Sequence, residues 1–207
     1  MGKHLVLVGG GHAHMLTLAN LHRFVQKGHR VTVIGPSEHH YYSGMGPGML
    51  GKTYTPEEIR FQTRLQVEKQ GGSFLHDKVT SIDPNKKLLN LQSGEEQAYD
   101  LVSFNVGSYV PQSLIQAEEA ELQDIFLVKP IENLLTLQKR LLELGAERPF
   151  RVVVVGGGPG AAEISGNIHR LLRDYGRYQP SIQLFAGQKL MARFPEQVRR
   201  KVIGSLE

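Results

Sequence analysis

The 207 residues contain no cysteine. That excludes disulfides, thiolate metal sites and a redox-active dithiol from this chain. Long hydrophobic runs are missing too, and no apolar stretch approaches the ~20 residues that span a bilayer. The N-terminal "KHLVLVGGG" has a short apolar core. It runs into glycines and a polar helix rather than a small-residue cleavage site, so it does not read as a signal peptide. A large excess of either charge is missing as well, with a net charge of only +4. Arg199, Arg200 and Lys201 cluster near the end without an aromatic platform or a basic stripe. They read as a solvated helix face, and no nucleic-acid partner is expected. With ordinary apolar content and no low-complexity tract, a folded globular protein in the cytoplasm is the expectation.

Glycine, by contrast, is placed with a pattern. "LVLVGGGHAH" begins at Leu5 and "VVVVGGGPGA" begins at Val152. Each glycine run follows four apolar, largely β-branched residues. Each precedes a segment with helical spacing: Met15, Leu18, Leu21 and Val25 in the first, Ile164, Ile168, Leu171 and Leu172 in the second. Each then meets another apolar run, "HRVTVIG" or "SIQLFAG". Strand, glycine turn, helix and strand make a βαβ unit, so the expected fold is α/β with two Rossmann-like units.

In such a turn the first glycine, Gly9 or Gly156, permits the tight exit from the strand. The second, Gly11 or Gly158, lets the backbone approach a pyrophosphate. The third position packs helix on strand, and here it is His14 or Ala161. The anion sits at the helix N-terminus, facing unpaired N–H groups. His14 is bulkier than the usual residue and is expected to push helix and strand apart. The carboxylate expected at the end of the second strand is missing from both copies. Gly35, Pro36 and Ser37 stand there in the first, which leaves Ser37 to meet a ribose, and Ala186 and Gly187 in the second. Lys189 and Arg193 follow nearby.

The histidines allow a metal reading, but His12 and His14 diverge at a helix start and His39 and His40 point apart. Without further ligands at a suitable spacing, no metal is expected. Between the repeats, "SEHHYYSGMGPGMLGKTYTPEEI" reads as a long ligand-covering loop, then a helix capped near Thr55 with Pro56 first. Phe74–Asp83 reads as one strand that turns at "PNK" and returns as "KLLNLQ". Tyr99–Ser108 reads as a strand that brings Gly107 to the same carboxyl edge as Gly9. The expected boundaries are 1–110 for the first nucleotide domain, 111–149 for a linker and an amphipathic helix, and 150–207 for the start of the second. That last stretch is too short to close a sheet, so the chain reads as C-terminally truncated, with an exposed apolar edge that favours a homodimer.

"GGGHAHM", "YSGMGPGML" and "VKPI" together resemble the pyridine nucleotide-disulfide oxidoreductase superfamily. The similarity is to its branch near type II NADH dehydrogenases, some of whose members are fused to selenide, water dikinase. The resemblance implies FAD on the first turn and NAD(P)H on the second. It places Gly9, Gly11 and His12 at the FAD pyrophosphate and Ser37 at the ribose. Ser43, Gly44 and Pro47 would face the flavin, Val79 the adenine, and Gly107 a second FAD contact. Gly156, Gly158 and Ala161 would hold the nicotinamide nucleotide, with Glu163 near the meeting of nicotinamide and flavin. Gly46 stands where relatives often carry leucine. The implied reaction takes hydride from NAD(P)H to FAD, then electrons to a quinone or other small acceptor, without a disulfide. Relatives often touch the inner face of the membrane through a C-terminal part, and a fragment ending here is expected to be inactive. A non-catalytic nucleotide-binding regulatory module is the alternative that the departures at His14 and at the missing acids leave open.

Overall fold

The computed structural model describes residues 2–111, 115, 118 and 122–207. Residues 112–114, 116–117 and 119–121 of the expected linker lie outside the described residues. The chain divides into two units, Met1–His40 with Arg60–Tyr109, and Tyr41–Ile59 with Val110–Glu207. The segment 41–59, read from the sequence as part of the first domain, packs with the second unit.

In the first unit four parallel strands run in the order β5 (Ser73–His76), β2 (Arg30–Gly35), β1 (His4–Val8) and β9 (Leu101–Phe104). Strands β1 and β2 are apolar almost throughout, because a central parallel strand is covered on both faces. On one face Leu7, Val31 and Val33 pack with Leu18, Leu21 and Val67, contributed by α1 (His12–Ala19), the turn before α2 (His22–Gln26) and α5 (Thr63–Glu68). On the other, Val6, Val8 and Ile34 pack with Leu89 and Leu91. Those two leucines belong to an antiparallel meander of β6 (Val79–Asp83), β7 (Leu88–Leu91) and β8 (Glu96–Ala98).

Two expectations need correction here. The first helix is two short ones, α1 and α2, because Asn20 turns its side chain onto the Leu16 carbonyl at 2.9 Å and ends the first. Phe74–Asp83 is not one strand: β5 belongs to the parallel sheet and β6 to the meander. The chain bends at Asp77, whose N–H donates to the Gly35 and Leu75 carbonyls while its carboxylate accepts from the Lys78 N–H at 2.6 Å. The bend depends on the Gly35 carbonyl of β2, a partner distant in sequence.

The expected covering loop is also more ordered than its glycines and prolines suggest. It holds β3 (His39–Tyr41), which pairs with β4 (Arg60–Gln62). A 3₁₀ turn (Ser43–Met45), α3 (Gly46–Leu50) and α4 (Pro56–Ile59) fill the interval. The cap at Thr55 is reciprocal: its N–H donates to Glu58 Oε2 at 2.7 Å, and its hydroxyl accepts from the Glu58 N–H. That is a capping box, read correctly from Thr55 and Pro56 although the helix spans one turn.

The second unit is built on α6 (Asn133–Glu147) and α7 (Pro159–Tyr175). Leu134, Leu137 and Leu141 meet Ile164, Ile168, Leu171 and Leu172, with Met49, Leu50 and Ile59 filling the gap. Gln138 donates its amide to the carbonyls of Met49 and Leu50 at 2.7 and 3.0 Å, satisfying the open end of α3. Strands β10 (Arg151–Val155) and β11 (Ser181–Phe185) form a two-stranded parallel sheet, followed by α8 (Glu196–Gly204). Val152, Val154 and Ile182 lean on the helical core. Val153, Val155 and Phe185, on the alternate positions, are 51%, 83% and 57% exposed.

Candidate functional site

The first glycine turn is shaped by its neighbour strand. Gly9 leaves β1 at φ +86°, and its N–H donates to the Ile34 carbonyl at 2.8 Å. A Cβ at Gly9 would run into the Asn105 carbonyl, and one at Gly11 into the Asn105 side-chain oxygen. The Gly11 N–H also donates to Asn105 O at 3.3 Å. Asn105 is thus what requires glycine at both positions. Helix α1 begins at His12, so its unpaired N–H groups open beside this turn. The His12 and His40 rings lie edge to face, 6.2 Å apart.

His14 is held through both of its ring nitrogens. It is 4% exposed, with Nδ1 2.7 Å from the Gly9 carbonyl and Nε2 2.9 Å from the Ser103 hydroxyl. The ring spans the space between glycine turn and β9, so its bulk is accommodated by two hydrogen bonds. With Nδ1 donating to the carbonyl, Nε2 accepts from Ser103.

Past the carboxyl ends of β2 and β5 lies an open cleft of about 360 Å³, lined by Pro36, His76, Asp77, Lys78, Gln92 and Ser93. Ser37 is beside it in sequence, and its hydroxyl oxygen accepts from the His39 N–H at 3.1 Å, leaving its own hydrogen to donate. Glu38 is bound to Arg64 at 2.6 Å, and Arg64 reaches Glu68 as well at 2.8 Å. That guanidinium holds the Glu38 carboxyl below its usual range. Asp77 is the carboxylate of the cleft. Hydrogen bonds from Ser93 and the Lys78 backbone keep it ionised. The sequence reading missed it because the acid of such folds is sought at the end of the second strand, and this one comes from the next strand over. Val79 starts β6 opposite Leu91. Gly107 lies beyond β9 at φ +72° with nothing near where a Cβ would be.

The second turn again joins a strand, β10, to a helix, α7. The Gly156 N–H donates to the Phe185 carbonyl at 2.9 Å. Ala161 lies 3.3 Å from where a Cβ on Gly156 would be, which is the close helix–strand packing the third position serves. Gly158 caps the 17-residue α7, with Pro159 at its start, and the space over it is open. An anion can therefore approach the first-turn N–H groups of α7 without moving a side chain. Glu163 is exposed on α7, one turn further on, and its carbonyl accepts from Asn167 at 2.8 Å.

Ser43, Gly44 and Pro47 belong to the second unit, whereas Gly9, Gly11, His12, Ser37, Val79 and Gly107 belong to the first. Gly46 is buried, and a Cβ there would meet Ile131 at 2.7 Å and Leu134 at 3.3 Å. A leucine is absent because Ile131 and Leu134 already fill its place. No group of three or more His, Asp or Glu suited to a metal occurs among the described residues, and no helix among them is long and apolar enough to cross a membrane.

The profile of one family, described as "Pyridine nucleotide-disulphide oxidoreductase", matches residues 3–207. A sulfide-quinone reductase of Aquifex aeolicus is 26% identical over 201 residues, covering 94% of this chain and 45% of that protein. Its crystal structure superposes with a TM-score of 0.68 over 88% of this chain and 43% of its own. NDH2 from Plasmodium falciparum in complex with NADH is 17% identical, with a TM-score of 0.72 over 100% of this chain and 47% of that one. An engineered water-forming NADPH oxidase bound to NADPH is 19% identical, with a TM-score of 0.76 over 97% and 44%. The chain thus spans about half the length of the proteins it matches.

Proposed function

Because the chain belongs to the pyridine nucleotide-disulphide oxidoreductase family, we propose that it carries the cofactor-binding turns of an FAD-dependent NAD(P)H oxidoreductase. The observation that carries the reading is the repeated strand–turn–helix, with Gly9 in a conformation that favours glycine and Gly158 open to solvent. The activity is proposed for the whole protein, of which these residues span about half by comparison with the relatives.

In this reading Gly9, Gly11 and His12 hold the FAD pyrophosphate. Ser37 meets the ribose, Val79 presents backbone to adenine, and Gly107 gives the second contact. Ser43, Gly44 and Pro47 face the flavin. Gly156, Gly158 and Ala161 hold NAD(P)H, and Glu163 lies toward the reacting end. His14 is a positioning residue: by binding the Gly9 carbonyl it sets the peptide that leads into the cradle. The chemistry that this pair of cofactors supplies is hydride transfer between nicotinamide and flavin. The chain contributes orientation and the N–H groups at two helix starts.

The electron acceptor is proposed to be a quinone, as in the sulfide-quinone reductase relative, or another small oxidant. These 207 residues contain no cysteine and so supply no thiol for sulfide or disulfide chemistry. The departure at His14, which left room for a non-catalytic module, is here a pair of hydrogen bonds that secures the turn.

A visible spectrum of the whole protein tests the proposal. A flavin band, released on denaturation and bleached by NADH or NADPH without oxygen, is the expected result. Colourless protein that takes up no added FAD sinks it.

A further inference from the structure

We propose that Lys52 and Arg170 are positioning residues for the segment that meets the flavin. They pin the loop carrying residues 43–50 to α7, the helix that opens on the second glycine turn. The proposal rests on the reading that puts Ser43, Gly44 and Pro47 at the flavin, and goes beyond it in naming what sets their position. Every group involved belongs to the second unit.

The ends of this loop are joined, because the Tyr42 N–H donates to the Ile59 carbonyl at 2.7 Å. Inside it, α3 ends in a reversed turn. The Lys52 N–H donates to the Met49 carbonyl at 3.0 Å, and the Thr53 N–H to the Gly48 carbonyl at 2.8 Å. A helix end of this kind puts one residue in the left-handed region, and glycine is the usual occupant. Here the occupant is Lys52, at φ +57°. A residue with a Cβ is disfavoured in that conformation, so contacts around Lys52 must offset the strain.

Those contacts lie on α7. The Lys52 ammonium stands 4.2 Å from the centre of the Tyr175 ring, a cation over an aromatic face. One residue on, the Thr53 hydroxyl accepts from Arg170 Nη1 at 2.7 Å. Asp174 is farther from Arg170, at 3.9 Å, and is bound by Arg173 at 2.7 Å, so Thr53 is the closer partner. One residue back, Gly51 is pressed on Asn167, whose side-chain oxygen stands where a Cβ would be. The Asn167 amide donates to the Glu163 carbonyl at 2.8 Å, which fixes that oxygen. Three successive residues of the loop thus meet one rigid helix. Met49 and Leu50 already anchor the segment in the core. Lys52, Thr53 and Arg170 are exposed and add little burial, so what they set is the angle of the segment. Hydride transfer is sensitive to that angle, because the reacting atoms must be aligned at close range.

Stopped-flow bleaching of the whole flavoprotein by NADH and NADPH without oxygen tests this, with the melting temperature measured alongside. Lys52→Gly removes the strain and the cation together. Its melting temperature is expected to hold or rise, while bleaching slows by about threefold or more. The nucleotide concentration at half-maximal rate should stay unchanged, since the second turn is untouched. Arg170→Ala and Thr53→Val remove the same hydrogen bond, so each should slow bleaching alike and the double variant no further. Arg170→Lys keeps a donor for the Thr53 hydroxyl and should restore part of the rate. Full rate in both Lys52→Gly and Arg170→Ala, or a loss of rate that only tracks a fall in melting temperature, overturns the proposal while the flavin reading stands. Whole protein that carries no flavin and takes up none overturns both.

Discussion

His14 replaces a small residue and is nonetheless buried, because both ring nitrogens find partners. Truncating it leaves the Gly9 carbonyl and Ser103 without those partners and opens a hole. His14→Ala is expected to cost about 1–3 kcal/mol in chemical denaturation and to weaken FAD retention. His4 is the other buried imidazole of the first unit, with Nε2 2.8 Å from the Thr32 hydroxyl and Nδ1 accepting from Arg30 at 2.9 Å. Burial, then the Arg30 charge, lowers its pKa from 6.5. The unfolded chain therefore binds this proton more readily than the folded one. His4's contribution is fully present above pH 6.5 and is lost as pH falls from there through the lowered folded value. Urea titrations from pH 8 to 5 should show this decline, and His4→Gln should flatten it. An unchanged slope in that variant would remove His4 as its source.

Among the elements, α3 shows how a short glycine-rich segment becomes a helix. Five residues cannot hold a helix in water. Met49 and Leu50 bury completely against α6 and α7, and Gln138 binds the terminal carbonyls. Gly46→Leu should therefore destabilise by about 1–3 kcal/mol through overpacking against Ile131 and Leu134. A rise in melting temperature would contradict that packing. Leu172→Ala, at the centre of the same core, is expected to cost about 2–5 kcal/mol in the same assay. The capping box at Thr55 was legible from the residues alone, since a cap depends on neighbours in sequence. The bend at Asp77 was not, because its cause is the Gly35 carbonyl on another strand.

On the molecular scale, the pair β10–β11 covers one face with helix and leaves Val153, Val155 and Phe185 on the other. Exposed apolar patches beside open strand edges favour association. Light scattering is expected to show a mass that rises with concentration, reduced by Val155→Lys combined with Phe185→Lys. A concentration-independent monomer of the unaltered chain would count against it.

The residues alone determined the two βαβ units, the glycine turns and the cap at Thr55. Each depends on spacing along the chain, where side-chain period and backbone freedom act over a few positions. The tertiary structure decided what lies far apart in sequence. Asn105 forbids side chains at Gly9 and Gly11, His14 reaches Ser103, and Asp77 rather than a residue of β2 supplies the carboxylate of the cleft. It also decided that residues 41–59 pack on α6 and α7. Parallel strands bring together residues whose sequence separation carries no local signal, so these contacts exist only once the sheet has formed.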